Sequence, residues 1–251
     1  MLRLIWHSRP GPVVPGLPLI FVLAESALER VPKELWRHPA VVKTARARRK
    51  RPGAMLLDRS LHHPAMKNLP DAGKRGRPDI VHTTLLAVMG SPLNKEGLLR
   101  AYVHTIDDHV IEVDPATRLP KNYNRFVGLI EQLYEEGQVP PGGPPLLTIR
   151  REGLAELVER LEPDRVVAFT REGEPRTIEE VMKGLAGIEK PMILIGGFAH
   201  GHFSDETLSL ADETACIDPE GLEAWVVASR AIYEFERVLG LPQKRLARLK
   251  A

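Results

Sequence analysis

The segment spanning residues 191–201, PMILIGGFAHG, constrains the fold most strongly. It begins with a continuous apolar run at residues 192–195, preceded by proline and followed by two glycines. A short apolar run between such breakers predicts a strand buried on both faces, as in a parallel sheet. Ligands of open α/β sheets bind beyond the carboxyl ends of the strands, where this glycine-rich loop would lie. The segment therefore predicts an α/β fold with a candidate binding loop; a turn without a ligand is the alternative.

Composition narrows the class of protein. Hydrophobic residues make up 43% and charged residues 27% of the 251 residues, as in ordinary globular domains. No apolar run approaches the roughly 20 residues that a membrane span requires, so we expect neither a membrane segment nor a signal peptide. Cys216 is the single cysteine. An internal disulfide is thus impossible, and a reducing, cytoplasmic location is expected.

The first half of the chain predicts an alternation of strands and helices. Apolar runs predict strands at residues 19–24 and 55–58. A helix is predicted to start at Glu25 or Ser26 and to run through Leu35, with Pro32 as a break or kink. Further helices are predicted at residues 80–89 and 125–136. Between them, apolar residues on both sides of Asp107-Asp108 predict a hairpin at residues 100–113.

The second half predicts a more regular α/β rhythm. Strands are predicted at residues 146–149 and 166–169, with a helix at 154–161 between them. Thr177 and Glu180 have the spacing of a capping box, which predicts a helix start. Asp218-Pro219 predicts another start, with the aspartate as cap and the proline in the first turn. The apolar face over residues 224–238 predicts a long final helix.

Basic residues are concentrated in two runs, at residues 43–51 and 118–126. The second run carries Tyr123 and Phe126 among its cations. Such runs are the electrostatic footprint of nucleic-acid binding, with a solvated surface as the alternative. Both runs argue against a third class, a small-molecule α/β enzyme. Pairs of histidines at 62–63 and at 200 and 202 lack cysteine or acidic partners at a recognisable ligand spacing, so no metal site is expected.

Three short blocks then make the chain similar to a known family. In order, they resemble the SPOUT-class methyltransferases, specifically the N1-pseudouridine methyltransferases of ribosome biogenesis (the essential-for-mitotic-growth family). The residues concerned are Arg77-Pro78-Asp79-Ile80 with His82 and Ser91-Pro92-Leu93-Asn94-Lys95; Glu112-Val113, Pro115, Arg118, Pro120, Arg125-Phe126 and Gly128-Leu129; and Gly196 with Phe198-Ala199-His200-Gly201. The resemblance covers about residues 56–240.

The resemblance implies a fold. Residues 1–251 would form a single SPOUT domain, a mostly parallel sheet flanked by helices. A β-hairpin insertion would occupy about residues 92–127. The cofactor-binding region, at about residues 164–240, would be tied in a C-terminal trefoil knot. Periodicity predicts the sheet and the helices, whereas the knot is implied by the family alone.

The resemblance also implies a cofactor, S-adenosyl-L-methionine, and the residues that bind it. These are Thr170, Gly196, Gly201, Ile217, Asp218, Pro219, Glu220, Gly221 and Leu222. The last six depart from the ISNYPL-like segment usual in the family, since only the two ends match. Backbone groups make many contacts in such loops, so the departure bears mainly on side-chain roles.

Catalytic and RNA-binding residues are implied in the same way. Arg77 would stabilise negative charge on the target base, and Asp79 would orient the Arg77 side chain. Read from the residues alone, Arg77 closes a solvated basic loop and Asp79 caps the next helix. Arg77 with Arg118, Lys121 and Arg125 would contact RNA; in a helix, the last three share one face. In a loop entering a helix, they would converge less rigidly. Lys121 stands where the family commonly has an arginine. The positive charge is kept, but a lysine cannot make the two parallel hydrogen bonds of a guanidinium.

The implied function is S-adenosylmethionine-dependent methylation of N1 of a pseudouridine in small-subunit ribosomal RNA, with a role in ribosome biogenesis. The alternative is an assembly factor that binds ribosomal RNA without catalysis. The expected partners are small-subunit ribosomal RNA, a second copy of the chain in a homodimer, and ribosomal proteins or assembly factors. The apolar face of residues 224–238 is wide enough for both its own sheet and a partner.

Overall fold

Eight strands form one continuous sheet in the computed structural model, which describes residues 18–249. The strands are β1 (Leu19–Ser26), β2 (Leu99–Thr105), β3 (His109–Val113), β4 (Gln138–Val139), β5 (Leu147–Arg151), β6 (Arg165–Pro175), β7 (Pro191–Gly196) and β8 (Glu213–Cys216). Their order across the sheet is β4-β5-β3-β2-β1-β7-β6-β8. The predicted domain of residues 1–251 includes 1–17 and 250–251, which lie outside the described residues.

The helices lie between the strands in the chain. They are α1 (Pro39–Arg48), α2 (Arg59–Met66), α3 (Pro78–Gly90), α4 (Pro92–Lys95), α5 (Tyr123–Glu136), α6 (Leu154–Leu161), α7 (Ile178–Leu185), α8 (Asp205–Ser209), α9 (Ala224–Val238) and α10 (Leu241–Ala247). The capping box predicted for α7 is present: Glu180 N–H donates to Thr177 Oγ1 and Thr177 N–H donates to Glu180 Oε2. None of the helices within residues 18–249 is long and apolar enough to cross a membrane.

The parallel part of the sheet runs β2-β1-β7-β6-β8. β7, which was predicted from the apolar run at 192–195, lies between β1 and β6, and its residues 191–195 are buried. A strand with neighbours on both edges and helices on both faces reads as an uninterrupted apolar run, which explains its sequence. Ala24 pairs with Gly196, so β1 and β7 end side by side. The prediction of an α/β fold with a mostly parallel sheet is confirmed.

The antiparallel part extends the sheet from β2. β2 and β3 form the predicted hairpin, and β3 pairs with β5, which pairs with β4. Asp108, at the turn, has a φ of 55°, a conformation that aspartate tolerates better than most residues. Because β2 also pairs with β1, the hairpin is part of the main sheet. The knot predicted within residues 164–240 concerns how the loops thread, and it stays a prediction.

Alternate residues of β1 enter two cores, one on each face of the sheet. Leu19, Phe21 and Leu23 pack with the larger core, to which α3, α5, α7 and α9 contribute. Ile20, Val22 and Ala24 pack with the smaller core, beneath α6. A satellite cluster joins α1 and α2. Both faces of the parallel strands are therefore covered, and the sheet's ligand-binding positions are left at the strand ends.

Three local predictions are wrong. No helix starts at Glu25 or Ser26: a 3₁₀ turn at Lys33–Leu35 follows Pro32, and α1 starts only at Pro39. Residues 55–58 form a single bridge, between Arg30 and Leu56, because Asp58 caps α2 instead. No helix starts at Asp218-Pro219 either. The Asp218 carboxylate accepts a bond from Glu220 N–H in a turn, and α9 begins at Ala224.

Candidate functional site

A cleft of about 350 Å³ opens at the carboxyl ends of β6, β7 and β8. Its walls are residues 169–171 of β6, the loop after β7 and the loop after β8. Residues 169–171 are accessible because the pairing of β6 with β8 is interrupted between Phe169 and Glu174. The volume lies within the range of small-molecule sites, roughly 300–1,000 Å³. The cleft is therefore where the topology of the sheet predicts a ligand.

Most of the predicted cofactor-binding residues meet in this cleft. Those that line it are Thr170, Gly196, Gly201, Ile217, Asp218, Glu220, Gly221 and Leu222. Pro219 does not line it, because the turn closed by Asp218 places the proline outside. Further residues that were not predicted to bind the cofactor also line it, among them Arg171, Phe198 and Glu223. Phe198 belongs to the third motif block, whereas no motif marks Arg171 or Glu223.

Two glycines of the loop after β7 are required by close approach or by backbone conformation. A Cβ at Gly197 would overlap the hydroxyl of Ser26 and lie 2.8 Å from the Ser26 Cα, so β1 and the loop pack backbone against backbone. Gly201 has a φ of 97°, which side-chain-bearing residues rarely adopt. At Gly196 a Cβ would lie 2.8 Å from two carbons of the Phe198 ring. Glycine therefore lets the loop fold tightly around the cleft.

The walls of the cleft combine apolar side chains with charged ones. Apolar side chains, such as Phe169, Ile195 and Leu222, provide an apolar surface for a flat ring, while the loop after β8 contributes carboxylates. Those acids are Asp218, Glu220 and Glu223, against the single guanidinium of Arg171. A ligand with an apolar ring and a positive charge suits this combination. Among residues 18–249, no cluster of three or more His, Cys, Asp or Glu is arranged to hold a metal ion.

Arg77 and Asp79 form a bidentate ion pair at the start of α3. The Arg77 Nε and Nη2 groups donate to the two Asp79 oxygens, each at 2.8 Å. The hydrogen bonds that Arg77 donates to Asp79 raise the pKa of Arg77, whereas burial acts to lower it. Arg77 is the N-cap of α3 but makes no side-chain cap bond, and Asp79 lies in the first turn. Asp79 thus orients the guanidinium instead of capping the helix.

Arg77 is connected to the cleft through the end of β1. Arg77 N–H donates to Ala27 O at 2.9 Å, and Ala27 N–H donates to Gly197 O at 2.9 Å, between the cleft-lining residues Gly196 and Phe198. Arg77 keeps 31% of its side chain exposed, so a ligand on the surface can reach it. A fixed, accessible cation therefore lies two hydrogen bonds from the loop that lines the cleft.

Arg118, Lys121 and Arg125 are all exposed, and no ion pair within residues 18–249 engages them. Residues 114–122 form an irregular loop, and only Arg125 is helical, in the first turn of α5. The prediction that all three side chains share one face of a helix is therefore wrong. The chain forms the alternative, a loop that leads into a helix.

Polar contacts hold this loop from behind. Asn94 Nδ2 donates to Pro115 O at 3.0 Å, and the His82 Nε2 atom lies 2.7 Å from Pro120 O. The Tyr123 hydroxyl donates to Asp58 Oδ2 at 2.6 Å, and burial with this bond raises the tyrosine pKa. His82 and Asn94 belong to the first motif block, so their place in the motif is explained by support of the basic loop.

These features define a class: an α/β protein with a small-molecule cleft at the strand ends and a basic face beside it. The chain belongs to the EMG1/NEP1 methyltransferase family, whose profile matches residues 21–236. The resemblance drawn from the three sequence blocks is thereby confirmed.

Similar proteins match almost the whole chain. The ribosomal RNA small subunit methyltransferase Nep1 of Staphylothermus marinus is 48% identical over 225 residues, covering 89% of this chain and 97% of that protein. The protein of the same name from Thermococcus kodakarensis is 46% identical over 226 residues, covering 89% and 100%. The crystal structure of Archaeoglobus fulgidus Nep1 bound to S-adenosylhomocysteine superposes with a TM-score of 0.78. It is 39% identical and covers 90% of this chain and 99% of that one.

Proposed function

We propose that this protein methylates N1 of a pseudouridine in small-subunit ribosomal RNA, with S-adenosyl-L-methionine as methyl donor, during ribosome biogenesis. Family membership supports a methyltransferase, and the names of the relatives support the RNA substrate. The observation that carries the proposal is local. The backbone of the fixed Arg77 is joined through Ala27 to the glycine-containing loop that lines the cleft, and the helix that follows Arg77 contacts the exposed basic loop.

The residues of the cleft fit S-adenosylmethionine. The donor combines a flat adenine ring with cationic amino and sulfonium groups. Phe169, Ile195 and Leu222 supply apolar surface for the ring, and Asp218 and Glu220 supply negative charge for the cations. The Phe198 ring of the loop packs against the end of β7 because Gly196, the last residue of that strand, carries no side chain. The product of methyl donation, S-adenosylhomocysteine, is bound by the Archaeoglobus fulgidus relative.

The reaction requires positioning more than covalent chemistry from the protein. When bound, S-adenosylmethionine supplies the methyl group, which passes from sulfur to N1 as the N1 proton leaves to solvent. The leaving proton places negative charge on the uracil ring. The Arg77 guanidinium would stabilise that charge, and its bidentate bond to Asp79 would keep it from rotating away.

The basic loop supplies the grip on RNA. Arg118, Lys121 and Arg125 present exposed charges on a segment whose backbone is held by His82 and Asn94. Arginine suits RNA because its planar group binds phosphate bidentately and stacks on unpaired bases. These three side chains and Arg77 would therefore hold the RNA strand while the target base enters the cleft.

The test is direct. Small-subunit ribosomal RNA fragments that carry pseudouridine at one position are incubated with the protein and labelled S-adenosylmethionine, and the nucleosides are analysed by mass spectrometry. The matched control is the same RNA with uridine there. Methyl transfer to the pseudouridine RNA alone is expected. Tight RNA binding without transfer would instead favour the assembly factor that binds without catalysis.

We also propose a homodimer formed through α9, as the resemblance to SPOUT methyltransferases implies. The helix buries one face on its own sheet but leaves Tyr233 55% exposed and Val238 38% exposed. A stable interface buries about 1,200–2,000 Å² in total, and a charge at its centre is disruptive. Tyr233→Glu should therefore shift the mass measured by light scattering from dimer to monomer. A wild-type monomer at micromolar concentration would overturn the proposal.

A further inference from the structure

The end of β1 lies between the cleft and the segment that carries Arg77. Gly197 N–H donates to Ala24 O at 2.8 Å, and Ala27 N–H donates to Gly197 O at 2.9 Å. On the other side, Arg77 N–H donates to Ala27 O, also at 2.9 Å. The Ala27 peptide groups thus connect the loop after β7 to Arg77 by two consecutive hydrogen bonds.

Glu25 makes a second connection through its side chain. Its Oε1 accepts bonds from both the backbone N–H and the hydroxyl of Ser204, each at 2.8 Å. Its Oε2 accepts a bond from Lys74 Nζ at 2.7 Å. Ser204 ends the loop after β7, and Lys74 is three residues before Arg77. One carboxylate therefore has one oxygen on each of the two segments.

Lys74 also contacts the wall of the cleft. Its ammonium lies 4.7 Å from the centre of the Phe198 ring, and its side chain is 17% exposed. A cation over an aromatic face is attracted by the negative face of the ring, and more strongly where water is excluded. The chain Phe198–Lys74–Glu25–Ser204 therefore starts and ends on the loop after β7 and passes through the Arg77 segment.

The backbone conformation of Glu25 is unusual for a residue near the end of a strand. Its φ is 48°, a left-handed conformation that a glutamate seldom adopts. The residue is only 6% exposed, and burial acts to raise its pKa. The bonds from Lys74 and Ser204 outweigh burial, so that the pKa lies below the ordinary value. A strained backbone and a buried charge are both maintained to keep this carboxylate between the segments.

We propose that Glu25 is a positioning residue for methyl transfer, which sets the Arg77 segment relative to the cofactor loop through Lys74 and Ser204. The proposal rests on the function proposed above. Arg77 must meet the target base while that base meets the donor, and the two elements belong to segments more than 100 residues apart in the chain. Neither segment pairs with the other in the sheet, and the end of β1 makes hydrogen bonds to both of them.

Glu152 offers a matched control. It is also a buried carboxylate, 7% exposed, and it accepts two bonds from Arg160 at 2.6 and 2.9 Å. It follows β5 and makes no hydrogen bond to residues 72–79 or 196–204. Glu152→Gln therefore removes a comparable buried ion pair while leaving the connection between cleft and Arg77 intact.

The first experiment compares Glu25→Gln with Glu152→Gln in methyl transfer at saturating RNA and donor. For Glu25→Gln, kcat should fall by about 10- to 100-fold, as small misplacements do, and the affinity for S-adenosylhomocysteine should fall by less than kcat does. Glu152→Gln should keep the wild-type kcat. The double variant of Glu25→Gln with Lys74→Met should be no slower than the slower single variant. Equal kcat values for Glu25→Gln and Glu152→Gln would overturn the proposal. So would additive losses of Glu25→Gln and Lys74→Met in the double variant.

The second experiment needs no turnover and no ligand. Hydrogen exchange of the free protein should be faster in Glu25→Gln at residues 74–77 and at 198–204 together, and unchanged there in Glu152→Gln. Unchanged exchange at both segments in Glu25→Gln would show that the carboxylate does not hold them. A wild-type protein that transfers no methyl group would refute the proposed function. The exchange result would still decide whether Glu25 joins the segments.

Discussion

The cofactor cleft and the basic loop are built on different principles. The cleft is formed by backbone at the ends of parallel strands, and the Cα of Ser26 would lie 2.8 Å from a Cβ at Gly197. The loop with Arg118 and Lys121 presents exposed side chains on a segment held from behind by His82 and Asn94. Substitutions in the cleft should therefore act through shape, whereas those in the loop should act through charge and depend on salt.

Gly196→Val should have the largest effect. The new side chain would displace the Phe198 ring, whose atoms lie 2.8 Å from a Cβ at this position, into the cleft. Overpacking of this kind costs about 1–3 kcal/mol, which corresponds to about fivefold to a hundredfold in affinity. Calorimetry with S-adenosylhomocysteine measures it. Gly184→Ala, in α7 with nothing near its Cβ, is the control and should bind as wild type. Unchanged affinity in a folded Gly196→Val protein would refute the steric account.

Asp79→Ala should come next. Without the carboxylate, the Arg77 guanidinium regains its rotamers, and immobilising it on RNA then costs about 0.5–1.5 kcal/mol more. A small loss of stability, about 0.3–1 kcal/mol, should accompany this because Asp79 lies in the first turn of α3. Glu179→Ala removes a first-turn acid of α7 and should reproduce only the loss of stability. Normal RNA affinity in Asp79→Ala would show that the ion pair has no part in binding.

The sequence predicted the regular parts of the fold because their signals are local. β7, α3, the hairpin of β2 and β3, and α9 each follow from hydrophobic periodicity and caps within a short window. The predicted helix over residues 25–35 failed for a non-local reason. Ala27 N–H donates to Gly197 O, and Ala27 O accepts a bond from Arg77 N–H. Both partners are far away in the sequence, so the residues next to Ala27 do not predict them.

The site divides in the same way. The loop with Gly196 and Gly201 was predicted as a binding loop because ligands lie beyond the carboxyl ends of parallel strands, and the residues after β8 were implied by the family resemblance. The contacts of Glu25 were not, since Lys74 is 49 residues away and Ser204 is 179 residues away. Arg171 and Glu223 enter the cleft because of an interrupted strand pairing and a late helix start, and neither has a sequence signature.

Arg125→Ala tests the electrostatic half of the comparison. Removing one phosphate contact should reduce the slope of log affinity against log salt by about 0.7–0.9 and weaken RNA binding most at low salt. Affinity for S-adenosylhomocysteine should not change, since Arg125 does not line the cleft. Lys183→Ala, an exposed cation of α7, is the matched control for charge. The same slope in wild type and Arg125→Ala would remove this residue from the RNA-binding surface.

The smallest effect concerns pH and acts at the end of β1, which is hydrogen-bonded to the loop that lines the cleft. His104 Nδ1 accepts a bond from Glu25 N–H at 3.3 Å, which requires an unprotonated nitrogen. Burial lowers the pKa of His104 below the usual 6.5, although Asp108 opposes this. Below pH 6.5 the unfolded chain therefore binds more protons than the folded one. Stability is full above that pH and falls until the folded pKa is passed.

His104→Asn should flatten that decline, because the amide oxygen can take the place of Nδ1 as acceptor but does not titrate. The gain is small, about 0.5 kcal/mol, since one long neutral hydrogen bond is at stake. Some slope should remain, because burial also lowers the pKa of His62. Thermal unfolding between pH 5 and 8 measures the effect, with His63→Asn, at an exposed position, as control. If both variants follow the wild-type curve, protonation of His104 does not affect the end of β1.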